Sequence, residues 1–187
     1  MKNIVSNTIL ALALIIAQPV YAKTKHKHHS DDAGYPLETK DGPVLVGGER
    51  GEFIAQARVY ARMIQQQYGI PASATIAMAI YESNYGRSYL AREGNNYFGI
   101  KAFNWGGSEI RSPRDGIRYR AYGSMKAGFI GYAEFLSKPR YRRAFGEHNG
   151  LDFVEEILSC GYCPSSRYSD DIRHIIDTYG LSKYDRS

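Results

Sequence analysis

Phe53, Ala57, Tyr60, Ala61, Ile64 and Tyr68 fall at i, i+4, i+7, i+8, i+11 and i+15, one face of an amphipathic helix that Gly69 stops. Pro71 suits a helix start, where its missing N–H costs nothing. Ala72 to Tyr81 is apolar on nearly every side and predicts a central helix that runs to about Asn84 and stops near Gly86. Residues 86 to 107 carry scattered glycines and Asn95-Asn96, and read as loop. Ser108 to Ser112, a Pro113–Gly116 turn and Ile117 to Tyr122 alternate with period 2 and predict a short hairpin. Ser124 caps a further helix bearing Met125, Phe129, Tyr132, Ala133 and Leu136 on one face. A short helix is expected after Pro139, another around Leu151 to Leu158, and a last one from Ile172 to Tyr179 that ends at Gly180. The sum is a helical body with one small hairpin, an α+β class.

The N-terminus has a different pattern. Lys2 precedes an unbroken apolar run from Ile9 to Ala17, and Val20-Tyr21-Ala22 has small-x-small character. This reads as an export signal cleaved after Ala22, since a membrane-spanning helix needs about 20 apolar residues. An uncleaved anchor is the alternative. Residues 23–48 are basic, then rich in glycine and proline, and read as a flexible linker. His26, His28 and His29 lie in that basic arm with no second ligand cluster following, so no metal site is expected. The expected organisation is signal 1–22, linker 23–48 and folded domain 49–187, working in the periplasm or beyond, with no stable membrane span after cleavage.

Composition adds to this picture. Of 187 residues, 43% are hydrophobic and 23% charged, which excludes wholesale disorder and suits one domain. There are 16 Tyr against 7 Phe and 1 Trp, a surface chemistry suited to sugars with their CH faces and hydroxyls. A net charge of +5 tolerates anionic partners without identifying one, and the reading includes no nucleic acid and no cofactor.

Glu82 is the position with most chemical content. Its i−3 and i−4 neighbours, Ala79 and Met78, make its helix face apolar, and it lies at the negative end of the helix dipole. Desolvation and dipole both disfavour the ionised form, so the acid holds its proton towards neutral pH, as a glycosidase acid must. Taken alone, a surface glutamate paired with Arg87 or Arg92 is the plainer reading.

The surrounding string changes that weighting. Glu82-Ser83-Asn84-Tyr85-Gly86 is followed by Asn95-Asn96-Tyr97-Phe98-Gly99-Ile100-Lys101, then Tyr119-Arg120-Ala121-Tyr122, Arg140-Tyr141, and Gly161-Tyr162 with Tyr168. Over about residues 52 to 180 the chain resembles the glucosaminidase family of peptidoglycan hydrolases (glycoside hydrolase family 73). The resemblance implies a lysozyme-like fold, with a mainly helical α-lobe and a small β-hairpin lobe flanking a substrate groove. It implies endo-cleavage of the β-1,4 bond after N-acetylglucosamine in peptidoglycan glycan strands, with Glu82 as general acid.

Three second groups remain open: Glu109 on the hairpin strand, Asp115 in the turn, or the substrate's own acetamido group with Tyr168 beside it. Asn96, Phe98 and Lys101 resemble the groove-lining loop. Trp105 suits sugar stacking or packing under the hairpin. Tyr122 and Tyr162 are candidate substrate contacts, with a core role as the alternative. Cys160 and Cys163 lack a thioredoxin-like setting and further zinc ligands; a short-loop disulfide is the plainest reading. Rival activities are a lytic transglycosylase or lysozyme-type muramidase, and a peptidoglycan-binding assembly protein. Assembly of a trans-envelope machine would add an envelope protein partner.

Overall fold

A computed structural model describes residues 48–185, together with the backbone of Tyr35–Thr39 and Gly42–Val46. The expected signal (1–22) and most of the expected linker lie outside the described residues. Within the stretch read as linker, β1 (Tyr35–Thr39) pairs antiparallel with β2 (Gly42–Val46), with Leu37 opposite Val44. Its glycines and prolines disguise this ladder in the sequence.

Helix α1 (Gly48–Tyr68) buries Phe53, Ile54, Ala57, Ala61 and Ile64, the stripe that the 3.6-residue period predicts. Helix α2 (Ala72–Ser83) buries every residue from Ala72 to Ile80, so it runs through the middle of the protein. Around it lie α4 (Met125–Leu136), α5 (Gly150–Ser159) and α6 (Tyr168–Thr178), joined by a 3-10 helix at Pro139–Gly146 and followed by another at Leu181–Tyr184. Ser124 caps α4 as expected, its hydroxyl accepting from Ala127 N. No helix among the described residues is long and apolar enough to cross a membrane.

The stretch read as loop holds a further helix, α3 (Tyr89–Gly94). Ser88 starts it by accepting from Ala91 N, and Asn95 ends it at φ 48°. Beyond it, β3 (Glu109–Arg111) and β4 (Arg118–Arg120) form the expected hairpin, with Ile110 opposite Tyr119. The loop adds a third edge, because Arg120 N donates to Ile100 O and Ala102 N to Arg118 O. A helical body facing a small β-lobe is the arrangement that the family resemblance implies.

The start of α2 is completed from elsewhere in the chain. The first N–H groups of a helix have no partner inside it. Gln65 Oε1 accepts from Ala72 N (3.0 Å) and Asp185 Oδ1 from Ser73 N (2.7 Å). Asp185 Oδ2 accepts from Ser73 Oγ and from Gly150 N (3.1 Å) at the start of α5. One carboxylate therefore serves two helix N-termini, where a negative charge is favoured. Gly150 is required at this junction, since any Cβ there would collide with the Ser73 hydroxyl. Burial pushes the pKa of Asp185 up, and the Ser73 and Gly150 hydrogen bonds oppose that.

Replacing Asp185 with Ala orphans buried donors on two helices and is expected to cost about 2–4 kcal/mol of stability. Urea denaturation would record this as a lower midpoint at unchanged slope, with Asp185→Asn intermediate. An unchanged midpoint for Asp185→Ala would contradict the clamp.

Candidate active site

The chain leaves α2 through a turn that explains the Glu-Ser-x-x-Gly string. Asn84, Tyr85 and Gly86 have φ of 49°, 58° and 74°, three consecutive residues in the left-handed region. The Ser83 hydroxyl donates to Ala79 O and accepts from Gly86 N (2.7 Å), which locks the turn. Only glycine fits at 86, because a Cβ would come 2.9 Å from the Phe53 ring. Tyr85 carries backbone strain of about 1 kcal/mol or more. Its ring is held by the Arg50 guanidinium (4.9 Å) and its hydroxyl by the Tyr179 hydroxyl (2.6 Å).

This fixed helix end presents Glu82 to a groove of about 470 Å³. Phe98, Gly99, Ile100, Lys101, Phe103, Arg120, Phe135, Lys138, Arg140, Tyr162, Cys163 and Pro164 line the rest of it. Glu82 Oε1 accepts from the Tyr168 hydroxyl (2.9 Å). Oε2 faces Gly99, whose backbone at φ +60° passes so close that a Cβ there would lie 3.6 Å away. Burial raises the Glu82 pKa, and the Tyr168 hydrogen bond restrains the rise because it favours the carboxylate. Tyr162 and Tyr168 are held far from ionisation, first by burial; the Glu82 charge nearby acts in the same direction. Glu82 is thus a carboxyl that faces the groove with its pKa raised by burial.

Several expected site residues do other work. Asn96 does not face a ligand: it is buried, its Nδ2 donates to Ile100 O and Arg120 O (both 2.9 Å), and its Oδ1 accepts from Ile100 N. Both amide protons are spent, so it ties the loop to β4. Phe98 stacks on Tyr132 at 3.9 Å and lines the groove, as do Lys101 and Tyr162. Trp105 lies outside the lining; its Nε1 donates to Ser108 O (3.0 Å) and its ring carries the Arg120 guanidinium at 4.2 Å. Tyr122 lies outside it too, packed where α4 has Gly131 instead of a side chain.

Neither candidate second carboxylate lines the groove. Glu109 pairs with Arg118 (3.0 Å). Asp115 accepts from Ile117 N and Tyr119 OH (both 3.0 Å), and the Ile117 hydrogen bond leads the causes that lower its pKa. That is turn chemistry. The expected disulfide is also corrected: Cys160 and Cys163 are free thiols. The turn is held without it, since Arg140 donates to Cys160 O (2.7 Å) and Gly161 O (2.8 Å). Sequence reasoning assigned no role to the groove residues Gly99, Arg120, Phe135, Lys138 and Arg140; the loop and hairpin strings around Gly99 and Arg120 were the available signal.

Carbon-13 NMR titration of labelled glutamates would check the electrostatics. The Glu82 carboxyl is expected to titrate above a solvent-exposed glutamate, and Tyr168→Phe is expected to move it higher still, because a hydrogen bond to the carboxylate is lost. A downward shift in that variant would refute the assignment.

Residues 58–181 match the glucosaminidase family, described as mannosyl-glycoprotein endo-beta-N-acetylglucosaminidase. The chain is 28% identical over 153 residues to the exo-glucosaminidase LytG of Bacillus subtilis, covering 73% of this chain and 54% of that protein. It is 26% identical over 145 residues to the peptidoglycan hydrolase FlgJ of Escherichia coli K12, covering 69% and 46%. It therefore spans about half the length of these curated relatives. Among solved structures, the peptidoglycan hydrolase of Sphingomonas sp. A1 is 30% identical with a TM-score of 0.62, over 71% of this chain and 91% of that one. With a family match across most of the folded part and the string around Glu82 built into a groove, the chain belongs to the glucosaminidase family.

Proposed function

We propose that this protein is an exported endo-β-N-acetylglucosaminidase that hydrolyses the β-1,4 bond after N-acetylglucosamine in peptidoglycan, with Glu82 as general acid. The observation that carries the reading is the Glu82 carboxyl: it is half-dry, raised in pKa by burial, pinned through Oε1 by Tyr168 and directed through Oε2 at the groove. Family membership supports the same chemistry.

Glu82 is the one carboxylate among the described residues that line the groove, which favours a route with no second protein carboxylate. The substrate's acetamido oxygen attacks the anomeric carbon while the protonated Glu82 gives its proton to the departing glycosidic oxygen. A bicyclic oxazolinium forms and the leaving sugar departs as an alcohol. Water then attacks the same carbon and gives a proton to the Glu82 carboxylate. The acetamido group is regenerated, the configuration is retained and the acid is restored. Tyr168 acts here as a positioning residue for Glu82, in place of the direct substrate role that the sequence suggests.

Mass spectrometry of borohydride-reduced digests of purified sacculi tests the bond choice. Reduced N-acetylglucosamine ends on fragments of several disaccharides are expected. Muramic-acid ends or 1,6-anhydro ends would replace this reading with a muramidase or transglycosylase, and release of single sugars alone with an exo-enzyme. Glu82→Gln is expected to lose roughly 10²–10⁴-fold in rate, the usual contribution of general acid catalysis. If wild type and Glu82→Gln release reducing ends equally, or neither does, the enzyme reading fails. Glu109→Gln and Asp115→Asn are expected to retain most activity. A collapse of either to the level of Glu82→Gln would restore a paired-carboxylate route.

The export reading has its own measurement. N-terminal sequencing of protein recovered from outside the cytoplasm is expected to begin at Lys23. Cytoplasmic recovery of the intact chain would overturn it.

A further inference from the structure

Four cations, Lys101, Arg120, Lys138 and Arg140, line the groove beside one carboxylate. Among the described residues none of the four forms an ion pair, although three ion pairs occur elsewhere on the protein. They do not neutralise Glu82 either, since what shifts that carboxyl is burial and Tyr168. Neutral amino sugars give no reason for such a concentration of unopposed positive charge.

Three of the four are built into one cluster. Arg120 is 7% exposed, and its side chain reaches the neutral Tyr122 hydroxyl rather than a carboxylate. Its guanidinium lies 4.2 Å from the Trp105 ring centre and 5.8 Å from that of Phe135. Lys138 Nζ lies 4.5 Å from the same Phe135 ring. Arg140 stands two residues further on, locked by the carbonyl oxygens of Cys160 and Gly161. Partial desolvation and the charges of Arg120 and Arg140 lower the Lys138 pKa, so the cluster repels itself as it stands. Aromatic faces and carbonyl oxygens hold these cations in place, but neither supplies the full negative charge that would relieve the repulsion.

We propose that Arg120, Lys138 and Arg140 form an anion subsite of the groove, which takes a carboxylate borne by a muramyl residue of the glycan strand. The subsite rests on the peptidoglycan reading above and deepens it. Two sources supply the chemistry: a carboxylate of the stem peptide, or the lactyl carboxylate exposed when the stem has been removed. Trp105 gains a role as the platform that orients Arg120 towards the anion. The subsite makes the protein a reader of the strand's substituents as well as its sugars.

Binding to the full chain carrying Glu82→Gln, measured by calorimetry, separates this from turnover. The probes are soluble glycan strands with stem peptides, the same strands with carboxyls converted to amides, and strands stripped of stems by an amidase. The parent is expected to prefer strands with the free carboxylate, stem-bearing or stripped, over amidated strands by about tenfold, the scale of a hydrogen bond to a charged group. Adding Lys138→Gln is expected to shrink that preference, and Lys138→Glu to abolish it. Lys138 is exposed, so neither substitution removes core packing. Preference shown by stripped strands alone assigns the lactyl carboxylate, which is amide-bonded while the stem is present; preference shown by stem-bearing strands and lost on stripped ones assigns the stem peptide. Equal binding of stem-bearing, stripped and amidated strands by the parent, or a preference that survives Lys138→Glu, overturns the subsite and leaves the glucosaminidase reading intact. Failure to bind any strand would remove both.

Discussion

The burial of α2 on all sides is the constraint on which the site depends. A helix with one wet face can roll or shift with small changes in packing. One with nine consecutive buried residues is fixed in rotation and depth by contacts around its whole circumference. Its end therefore points in a set direction, and Glu82 occupies that end. The Ser83–Gly86 lock and the left-handed residues that follow stop the helix abruptly, so the backbone turns away and leaves the carboxyl against the groove.

The electrostatics follow from that placement. A carboxyl half out of water favours its neutral form, and the Tyr168 hydroxyl moderates this by supporting the anion. Tyr168 begins α6, far away in sequence, so the acid's environment is assembled only when the last helix has packed against the central one. Phe98, held on Tyr132, and the loop backbone at Gly99 form the facing wall. Among the described residues, the β-lobe lines the groove with cations and aromatic surface and with no carboxylate.

Much of the fold is legible in the sequence, because amphipathic stripes and turn residues act locally. The stripe of α1, the all-apolar α2, the hairpin and the Ser124 cap each follow from a rule that needs no distant partner. The failures share a cause. Asn96 looks like a free polar group until β4 supplies the carbonyl that takes its proton. Trp105 leaves sugar stacking and packing equally open until Arg120 is seen over its ring. Cys160 and Cys163 suggest a staple until Arg140, twenty residues earlier, is seen to hold the same turn. The short α3 was hidden because its glycine and asparagine end signals outweigh its few helical residues. The desolvated carboxyl of Glu82 was readable from its apolar flank, whereas its partner Tyr168 came only from the family resemblance.

The carboxylate of Asp185 sets an order of events on the chain. The central helix begins at Ala72 but its first turn is not satisfied until a residue 112 positions beyond Ser73 has arrived. A ribosome that has made the first helices has therefore not yet made the means to hold them. Cooperative consolidation waits for nearly the whole domain, and an incomplete chain is left with an open, unclosed core.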